Sequence, residues 1–366
     1  MAINNAVQIP NVEAELKLLS EKNKQANNIR ACLFNLVIYT QEERRYDYFK
    51  NIVSSIIKKF PCRIIFIQRE MHTSKEFLHV EVSNETFTES GTTIACDQIT
   101  ISVAGIYSDR VTHIVSQHLV PDLPIYLFWG QDPIQESEIL PNLQKVASRL
   151  IFDTECTKDL QQFSQVMLSK LESLDIEVMD IHWALISPWR DVISQIFHTE
   201  SKITQLQNST KINIHFNHIK SDFIHHSETQ SLYLQAWLAH QLGWTVISMQ
   251  ATGNHKVITY RRADQGELTI TLTPDRNENL QCGSILNIEI DGDEGLNFSL
   301  IRQDILRKVL IHVTIGDQCL LPYSLPLPNL KRGFNFIKEI LYETTSEHYR
   351  NMLKQLAATD WSQIYK

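Results

Sequence analysis

The fold class follows first from ACLFNLVIY, residues 31–39, which is an almost unbroken apolar run. Runs of this kind are typical of a strand buried on both faces of a parallel sheet. From Phe49 to Phe60, apolar side chains then recur at the spacing of an amphipathic helix, which Pro61 ends. A second apolar run, CRIIFIQ at 62–68, follows directly. The sequence therefore predicts a strand, a helix and a second strand in succession.

The same alternation continues to about residue 175. Less regular strands are predicted at 77–82 and 94–103, followed by a helix at 111–119, the strand LPIYLFW at 123–129, a helix at 134–147, a short strand at 149–153 and a helix at 157–174. We therefore expect a polar N-terminal segment at 1–28 and an α/β domain at 29–175. Its sheet should be open and largely parallel.

The second region, 176–366, has a different pattern. Short strands separated by turn signals such as Asp291-Gly292 predict an α+β domain with a mostly antiparallel sheet. Two helices are expected to begin at Ser187, as N-cap before Pro188, and at Ser227, with Gly243 ending the second one. The proline-rich stretch at 322–328 predicts an extended, irregular connection to a last helix at 334–356.

Length and charge restrict the functional classes. A chain of 366 residues fits two domains, and 34 basic against 42 acidic residues give a net charge of −8. That charge disfavours binding to nucleic acids and to anionic membranes. Because no apolar run reaches the length of a membrane span and the N-terminus lacks a signal-peptide core, we expect a cytoplasmic protein. The six cysteines contain no C-x-x-C pair and are expected to be reduced thiols.

Local catalytic and cofactor motifs are missing from the sequence. It contains no G-x-G-x-x-G, no G-x-x-x-x-G-K-[ST], no G-x-S-x-G and no H-E-x-x-H. We therefore predict no catalytic residue, no cofactor and no metal site. The histidines at 215, 218, 225 and 226 are better explained as solvated side chains than as metal ligands, since the first pair has irregular spacing on a strand.

A protein partner is the remaining class, and four residues are candidates for binding it. Arg63 and Arg190 lie at the ends of predicted elements, where a guanidinium is fixed in place. Trp129 and Trp183 also lie near element ends, whereas Trp189 falls on a buried helical stripe and is expected in the core.

Several of these stretches resemble the glucose-6-phosphate dehydrogenase assembly protein family, known as OpcA. The resemblance covers about residues 30 to 245. It depends on CLFNL at 32–36, FPCR at 60–63, CDQI at 96–99, LPIYLFW at 123–129, DIHW at 180–183, SPWR at 187–190, and WLA at 237–239 with LGW at 242–244. Three positions depart from the family pattern, which has Glu at Asp97, Thr at Ser187 and Trp at Phe128.

The resemblance implies a non-catalytic protein that binds glucose-6-phosphate dehydrogenase and promotes its active oligomer or raises its activity. It would thereby favour the oxidative pentose phosphate pathway. In photosynthetic members of the family this function is linked to thioredoxin, and the sequence does not identify a cysteine for that link.

An enzyme or sensor is the alternative. Open α/β sheets usually bind ligands at the carboxyl ends of their strands, so a sugar phosphate or a nucleotide is the ligand class to consider there.

Overall fold

The computed structural model describes residues 7–41, 43–134, 138–173, 176–219, 226–328 and 345–364. The first nine strands form one sheet and the remaining nine form another. The first unit comprises 7–153 and 176–180, and the second comprises 154–173, 181–328 and 345–364. The helix predicted at 157–174 thus belongs to the second unit, although the strand after it returns to the first.

The first unit contains nine strands and four helices among its described residues. They are β1 (Val7–Gln8), α1 (Val12–Gln25), β2 (Ile29–Arg30), β3 (Asn35–Thr40), α2 (Glu43–Ile57), β4 (Arg63–Glu70), β5 (Phe77–Glu89), β6 (Thr92–Ala104), α3 (Val111–His118), β7 (Ile125–Trp129), α4 (Ile139–Gln144), β8 (Arg149–Phe152) and β9 (Glu177–Asp180). Strands β3 and β8 are buried throughout, as their apolar runs predict.

The sheet of the first unit is largely parallel. Its order is β1-β5-β6-β4-β3-β7-β8-β9, with β2 on β6, and only the pair β5 and β6 is antiparallel. Strands β6, β4 and β3 extend the sheet in one direction, and β7, β8 and β9 extend it in the other. This is the doubly wound order, with its switch point between β3 and β7. The predicted open, largely parallel α/β sheet is confirmed.

The long hairpin of β5 and β6 was only partly predicted. Each of these strands has thirteen residues, several more than the runs at 77–82 and 94–103 indicated. The turn between them is made by Ser90 and Gly91, both with positive φ, as a tight hairpin turn requires. The outer part of β5 alternates exposed and half-buried residues. Its apolar pattern is therefore too weak to reveal the full strand.

The second unit contains the other nine strands and six helices among its described residues. They are α5 (Leu160–Ser173), α6 (Ile181–Leu185), α7 (Ser187–Ile196), α8 (Glu200–Gln207), β10 (Lys211–Asn217), α9 (Thr229–Leu242), β11 (Thr245–Thr252), β12 (His255–Arg261), β13 (Glu267–Asp275), β14 (Ile285–Asp291), β15 (Leu296–Gln303), β16 (Lys308–Ile315), β17 (Gln318–Cys319), β18 (Tyr323–Pro326) and α10 (Glu347–Ala357).

The sheet of the second unit is mostly antiparallel. Its order is β11-β12-β13-β10-β14-β15-β16-β17, with β18 on β16, and β10 with β13 is its one parallel pair among the described strands. Alternate residues such as Ile212, Ile270 and Ile288 are fully buried, whereas their neighbours in the strands are half-buried or exposed. One face is therefore packed and the other is open, which antiparallel sheets tolerate. The predicted α+β domain is confirmed.

Three local predictions are wrong in detail. Helix α7 begins at Ser187 itself, after Ile186, so Ser187 is not the N-cap. Helix α9 begins at Thr229, so that Glu228 and not Ser227 is at the N-cap position, and the hydroxyl of Ser227 contacts Nδ1 of His218 at 2.8 Å. The segment 322–328 contains strand β18, since an edge strand tolerates proline.

Other local predictions are confirmed. Gly243 ends α9 in the left-handed region at φ 69°. Trp189 is buried on α7, as its stripe predicts. Of the last predicted helix, 334–356, the residues before 345 lie outside the described ones, and α10 accounts for the remainder. None of the described helices is long and apolar enough to cross a membrane.

Candidate functional site

The carboxyl ends of β3 and β7 mark the edge where a doubly wound sheet usually binds its ligand. Strand β3 ends at Thr40 and β7 ends at Trp129, and the backbone N–H of Gly130 donates to the carbonyl of Tyr39 at 2.9 Å. The two strand ends are therefore tied together. Helix α2 follows β3 and brings Arg45 and Phe49 to this edge.

Phe49 fills the space above Gly130. Its side chain is fully buried, and its ring packs edge-on against Phe128 with centroids 4.7 Å apart. A Cβ added at Gly130 would collide with the Phe49 ring and would come within 2.8 Å of the Tyr39 carbonyl oxygen. Glycine at 130 is thus required by the close approach of an aromatic side chain.

A buried ion pair lies beside Phe49. Nη2 of Arg45, in the first turn of α2, donates to Oδ2 of Asp153 at 2.6 Å, and the two side chains are 5% and 0% exposed. The Arg45 guanidinium also lies 5.3 Å from the Phe49 ring centroid. Asp153 follows β8, and Arg45 lies in the helix after β3. Because β7 lies between β3 and β8 in the sheet, the ion pair spans the end of β7.

Trp129, the first candidate for partner binding, belongs to this packed edge. Its ring stacks on Tyr39 with centroids 3.9 Å apart and an interplanar angle of 1°, and only 1% of the residue is exposed. In this conformation Trp129 offers almost no area to another protein. A role in binding a partner stays a prediction.

Arg63, the second candidate, lies at the opposite edge of the same sheet, since it begins β4. Its Nη2 donates to Oδ2 of Asp97 at 2.8 Å, and its Nη1 donates to the His118 carbonyl at 3.0 Å. Asp97 also pairs with Arg30, whose side chain is 40% exposed. The length of the strands therefore separates Arg63 from Trp129, and Arg30 is the more accessible guanidinium of this cluster.

Trp183 and Arg190, the remaining candidates, are brought together in the second unit. The Cζ atom of Arg190 lies 3.6 Å from the Trp183 ring centroid, a close cation–π contact between α6 and α7. Trp183 is 4% exposed and also packs near Tyr349 of α10, whereas Arg190 is half-buried. Trp183 is therefore almost inaccessible to a partner, whereas Arg190 is partly accessible.

Buried polar groups of the second unit surround the start of α9. Nε2 of His182 lies 3.5 Å from Oε1 of Glu155, and the hydroxyls of Thr154 and Tyr233 are 2.8 Å apart. All four of these residues are buried. The pattern gave no signal for this cluster, because its members are distant in sequence.

Glu228 forms a second polar cluster with His226 and Lys256. It is 6% exposed, pairs with Lys256, and lies 3.7 Å from Nδ1 of His226. Burial alone would raise the pKa of this carboxyl, but the hydrogen bonds of His226 and Lys256 and the charge of Lys256 outweigh it and lower the pKa to about 2. Glu228 is therefore a structural anion.

The histidine-rich stretch supplies no common ligand set among its described members. Nε2 of His215 contacts the amide of Asn213 at 2.8 Å, His218 contacts Ser227, and His226 faces Glu228. His225 lies outside the described residues. Each described histidine thus has its own polar neighbour.

Several exposed apolar side chains lie on or beside the last strands of the second unit. We define the outer apolar group as Ile315, Leu320, Leu321 and Tyr323, which are 47%, 48%, 92% and 39% exposed. Leu320 and Tyr323 are held beside β16, since the N–H of Leu320 donates to Val313 and Tyr323 pairs with Ile311. Surfaces of this kind often mark protein interfaces. The adjacent pair Leu320-Leu321 before a proline was the available sequence signal.

Two family models match consecutive parts of the chain. Residues 53–168 match the glucose-6-phosphate dehydrogenase subunit N-terminal domain of OpcA, and residues 176–330 match the corresponding C-terminal domain. Together they cover well over half of the chain, and the outer apolar group lies in the second of them.

Similar curated proteins carry the name OxPP cycle protein OpcA. That of Synechocystis sp. is 23% identical over 202 residues, which are 54% of this chain and 40% of the relative. That of Synechococcus elongatus is 20% identical over 262 residues, which are 69% of this chain and 56% of the relative. The chain thus spans about half the length of the curated relatives that it matches.

Solved structures of similar fold are oxidoreductases. KijD10, a 3-ketoreductase from Actinomadura kijaniata solved with TDP-benzene and NADP, has a TM-score of 0.53 at 8% identity, covering 88% of this chain and 94% of that one. An oxidoreductase from Thermotoga maritima has a TM-score of 0.51 at 10% identity, covering 90% of this chain and 96% of that one. At such identities the likeness extends to the fold alone.

Proposed function

The chain belongs to the OpcA family, and from that membership we propose that it binds glucose-6-phosphate dehydrogenase as a non-catalytic assembly factor. Binding would promote the active oligomer of the dehydrogenase or raise its activity, and so support the oxidative pentose phosphate pathway. The observation that carries the proposal is the pair of adjacent matches, both to descriptions of a glucose-6-phosphate dehydrogenase subunit.

The mechanism follows from linkage. A protein that binds the active state of an enzyme more tightly than the inactive state shifts the equilibrium toward the active one. A tenfold preference corresponds to about 1.4 kcal/mol, which a few well-packed side chains supply. No chemical step in this chain is needed.

The outer apolar group offers the contact surface. Leu321 is 92% exposed, and burying a leucine side chain contributes roughly 1.5 to 3 kcal/mol. Three prolines, Pro322, Pro326 and Pro328, accompany the edge strand β18 and hinder the addition of a further strand there. Contact through side chains is therefore favoured at this edge, and Arg190 and Arg63 remain proposed additional contacts.

The accessibility of the cysteines bears on the thioredoxin link. Burial raises the pKa of Cys62, and it raises the pKa of Cys96 to about 11, so neither thiol ionises readily. Cys319 is exposed and Cys32 is partly exposed. Burial also raises the pKa of Cys32. A redox link, which stays a prediction, would therefore act most directly through Cys319.

Co-elution tests the proposal. The purified chain is mixed with the glucose-6-phosphate dehydrogenase of its own organism, and the oligomer size, KM and maximal rate of the dehydrogenase are measured. We expect a joint peak and a change in at least one of the three quantities. Separate elution with an unchanged size, KM and rate would refute the proposal.

The substitution Leu321→Ser tests the surface. We expect it to weaken the complex by about tenfold, as the loss of a buried leucine implies. Leu33→Ser is the matched control, since Leu33 is 54% exposed in the first unit. Equal affinities of the two variants would exclude the outer apolar group as the contact surface.

A further inference from the structure

The fold implies a cofactor that the residues of the first unit do not fit. Doubly wound sheets of this order bind a dinucleotide across the switch point, with the pyrophosphate against the helix that follows the first strand. Here that strand is β3 and the helix is α2. Three features of this edge decide whether such a ligand can enter.

The first feature is the connection after β3. A pyrophosphate needs glycines there so that the backbone can approach it closely and the turn can be tight. The sequence contains no glycine before Gly91, so the connection from Thr40 to α2 has none. The sequence of this connection therefore lacks the glycines on which the close approach of a pyrophosphate depends.

The second feature is the position of Phe49. Its ring touches the volume above Gly130, at the start of the segment after β7, and it is fully buried against Phe128. In this sheet order the ends of β3 and β7 form the walls of the crevice. An aromatic ring from α2 thus takes the place that a ligand would use.

The third feature is the ion pair of Arg45 and Asp153. Its guanidinium stands in the first turn of α2, where an anion would be attracted, and an internal carboxylate already occupies its Nη2 at 2.6 Å. Both side chains are almost completely buried. A ligand phosphate would have to displace a carboxylate that is held in a dry environment.

We infer that this edge of the sheet is a closed packing core built from Phe49, Arg45 and Asp153, and that the first unit binds no nicotinamide dinucleotide. In a cofactor-binding sheet the ligand fills the space at this edge. Here side chains of the protein fill that space. The inference is independent of the proposed function, because a protein that assembles a dehydrogenase could bind NADPH or fail to bind it.

A direct titration tests the inference. NADPH and NADH are titrated into the full chain while nicotinamide fluorescence is recorded, with excitation of tryptophan as a second readout, since Trp129 lies at the edge concerned. We expect no saturable binding up to about 1 mM, a range in which even weak complexes are detected. Saturable binding of either dinucleotide with a Kd below about 1 mM would overturn the inference.

The variant Phe49→Ala tests whether the ring fills the edge. We expect its midpoint of thermal unfolding to fall by on the order of 10 °C and to rise again with benzene, which enters apolar cavities. Phe77→Ala, at a half-buried residue of β5, is the control and should show less than half of this decrease and no recovery with benzene. If Phe49→Ala does not fold, Phe49→Leu should fold with a smaller decrease. A midpoint equal to that of the wild type in whichever variant is measured would refute the packing role.

Failure of this inference would differ from failure of the proposed function. If the chain binds NADPH and still acts on the dehydrogenase, the inference of a closed edge is refuted and the proposed assembly role is retained. Binding of NADPH without any effect on the dehydrogenase would instead favour the ligand-binding alternative for the α/β unit.

Discussion

The two sheets of the molecule differ in how far their apolar side chains are buried at the places compared. In the first unit, the edge at the carboxyl ends of β3 and β7 is filled by Phe49, which is fully buried, and by the ion pair of Arg45 and Asp153. In the second unit, Leu321 and its neighbours leave apolar surface exposed beside β16. The sheet whose fold is typical of ligand binding is closed at this edge, and the other sheet carries the outer apolar group.

This difference separates the type of fold from the use of its surface. A doubly wound strand order is typical of dinucleotide-binding domains, but fold alone does not decide function. What decides it is the chemistry at each edge. The comparison predicts that substitutions in the closed edge change stability, whereas substitutions in the outer apolar group change association.

The largest effect is expected from Phe49→Ala. Removing a buried phenylalanine costs about 3 to 5 kcal/mol of unfolding free energy, through lost burial and the cavity that remains. Denaturant unfolding followed by circular dichroism measures the change. Phe77→Ala should cost less than half as much, and equal losses would contradict the distinction between a closed edge and ordinary sheet surface.

Arg45→Met is expected to cost roughly 3 kcal/mol, since it leaves the carboxylate of Asp153 buried without this guanidinium. The double variant Arg45→Met with Asp153→Leu removes both charges and should recover most of the loss. Denaturant unfolding of the two variants gives the comparison. A double variant that is less stable than Arg45→Met would contradict the view that the loss in Arg45→Met comes from an uncompensated buried charge.

Lowering the pH should reveal Glu228. Its folded pKa of about 2 lies below the ordinary value of 4.5, so its ionised form stabilises the fold above pH 4.5. That contribution, roughly 2 to 3 kcal/mol, is lost as the pH falls through the window from 4.5 to 2. Glu228→Gln should therefore be less stable at pH 7 and show a flatter decline in unfolding free energy over this window. Parallel curves for both proteins would contradict the assignment.

The smallest effect on stability is expected from Leu321→Ser, within about 0.5 kcal/mol, because the side chain is almost fully exposed. Thermal unfolding checks this expectation. A decrease in the unfolding midpoint beyond that seen in Leu33→Ser would mean that Leu321 packs against the chain itself and is not free to contact a partner.

Much of the fold could be predicted from local pattern. The apolar runs at 31–39 and 123–129 correctly predict strands β3 and β7, and the spacing of Phe49 and its neighbours correctly predicts α2. Capping was harder, since Ser227 bonds to His218 instead of to the start of α9. The hydrogen-bond partner of a serine hydroxyl depends on which groups lie near it in the folded chain, and local sequence does not contain that information.

The candidate site could be predicted far less well. Trp129 and Trp183 were selected because they lie near element ends, but stacking on Tyr39 and contact with Arg190 bury both rings. The pair of Arg45 and Asp153 is 108 residues apart in sequence, so no spacing could reveal it. Exposure and long-range pairing depend on the packing of several elements, which a single sequence does not contain.

The most direct test of the account is sedimentation velocity of the glucose-6-phosphate dehydrogenase from the same organism, with and without this chain. We predict that adding the chain shifts the dehydrogenase to a larger species that contains both proteins, and that Leu321→Ser reduces the shift while Leu33→Ser does not. A dehydrogenase whose sedimentation is unchanged at saturating concentrations of the chain would contradict the account.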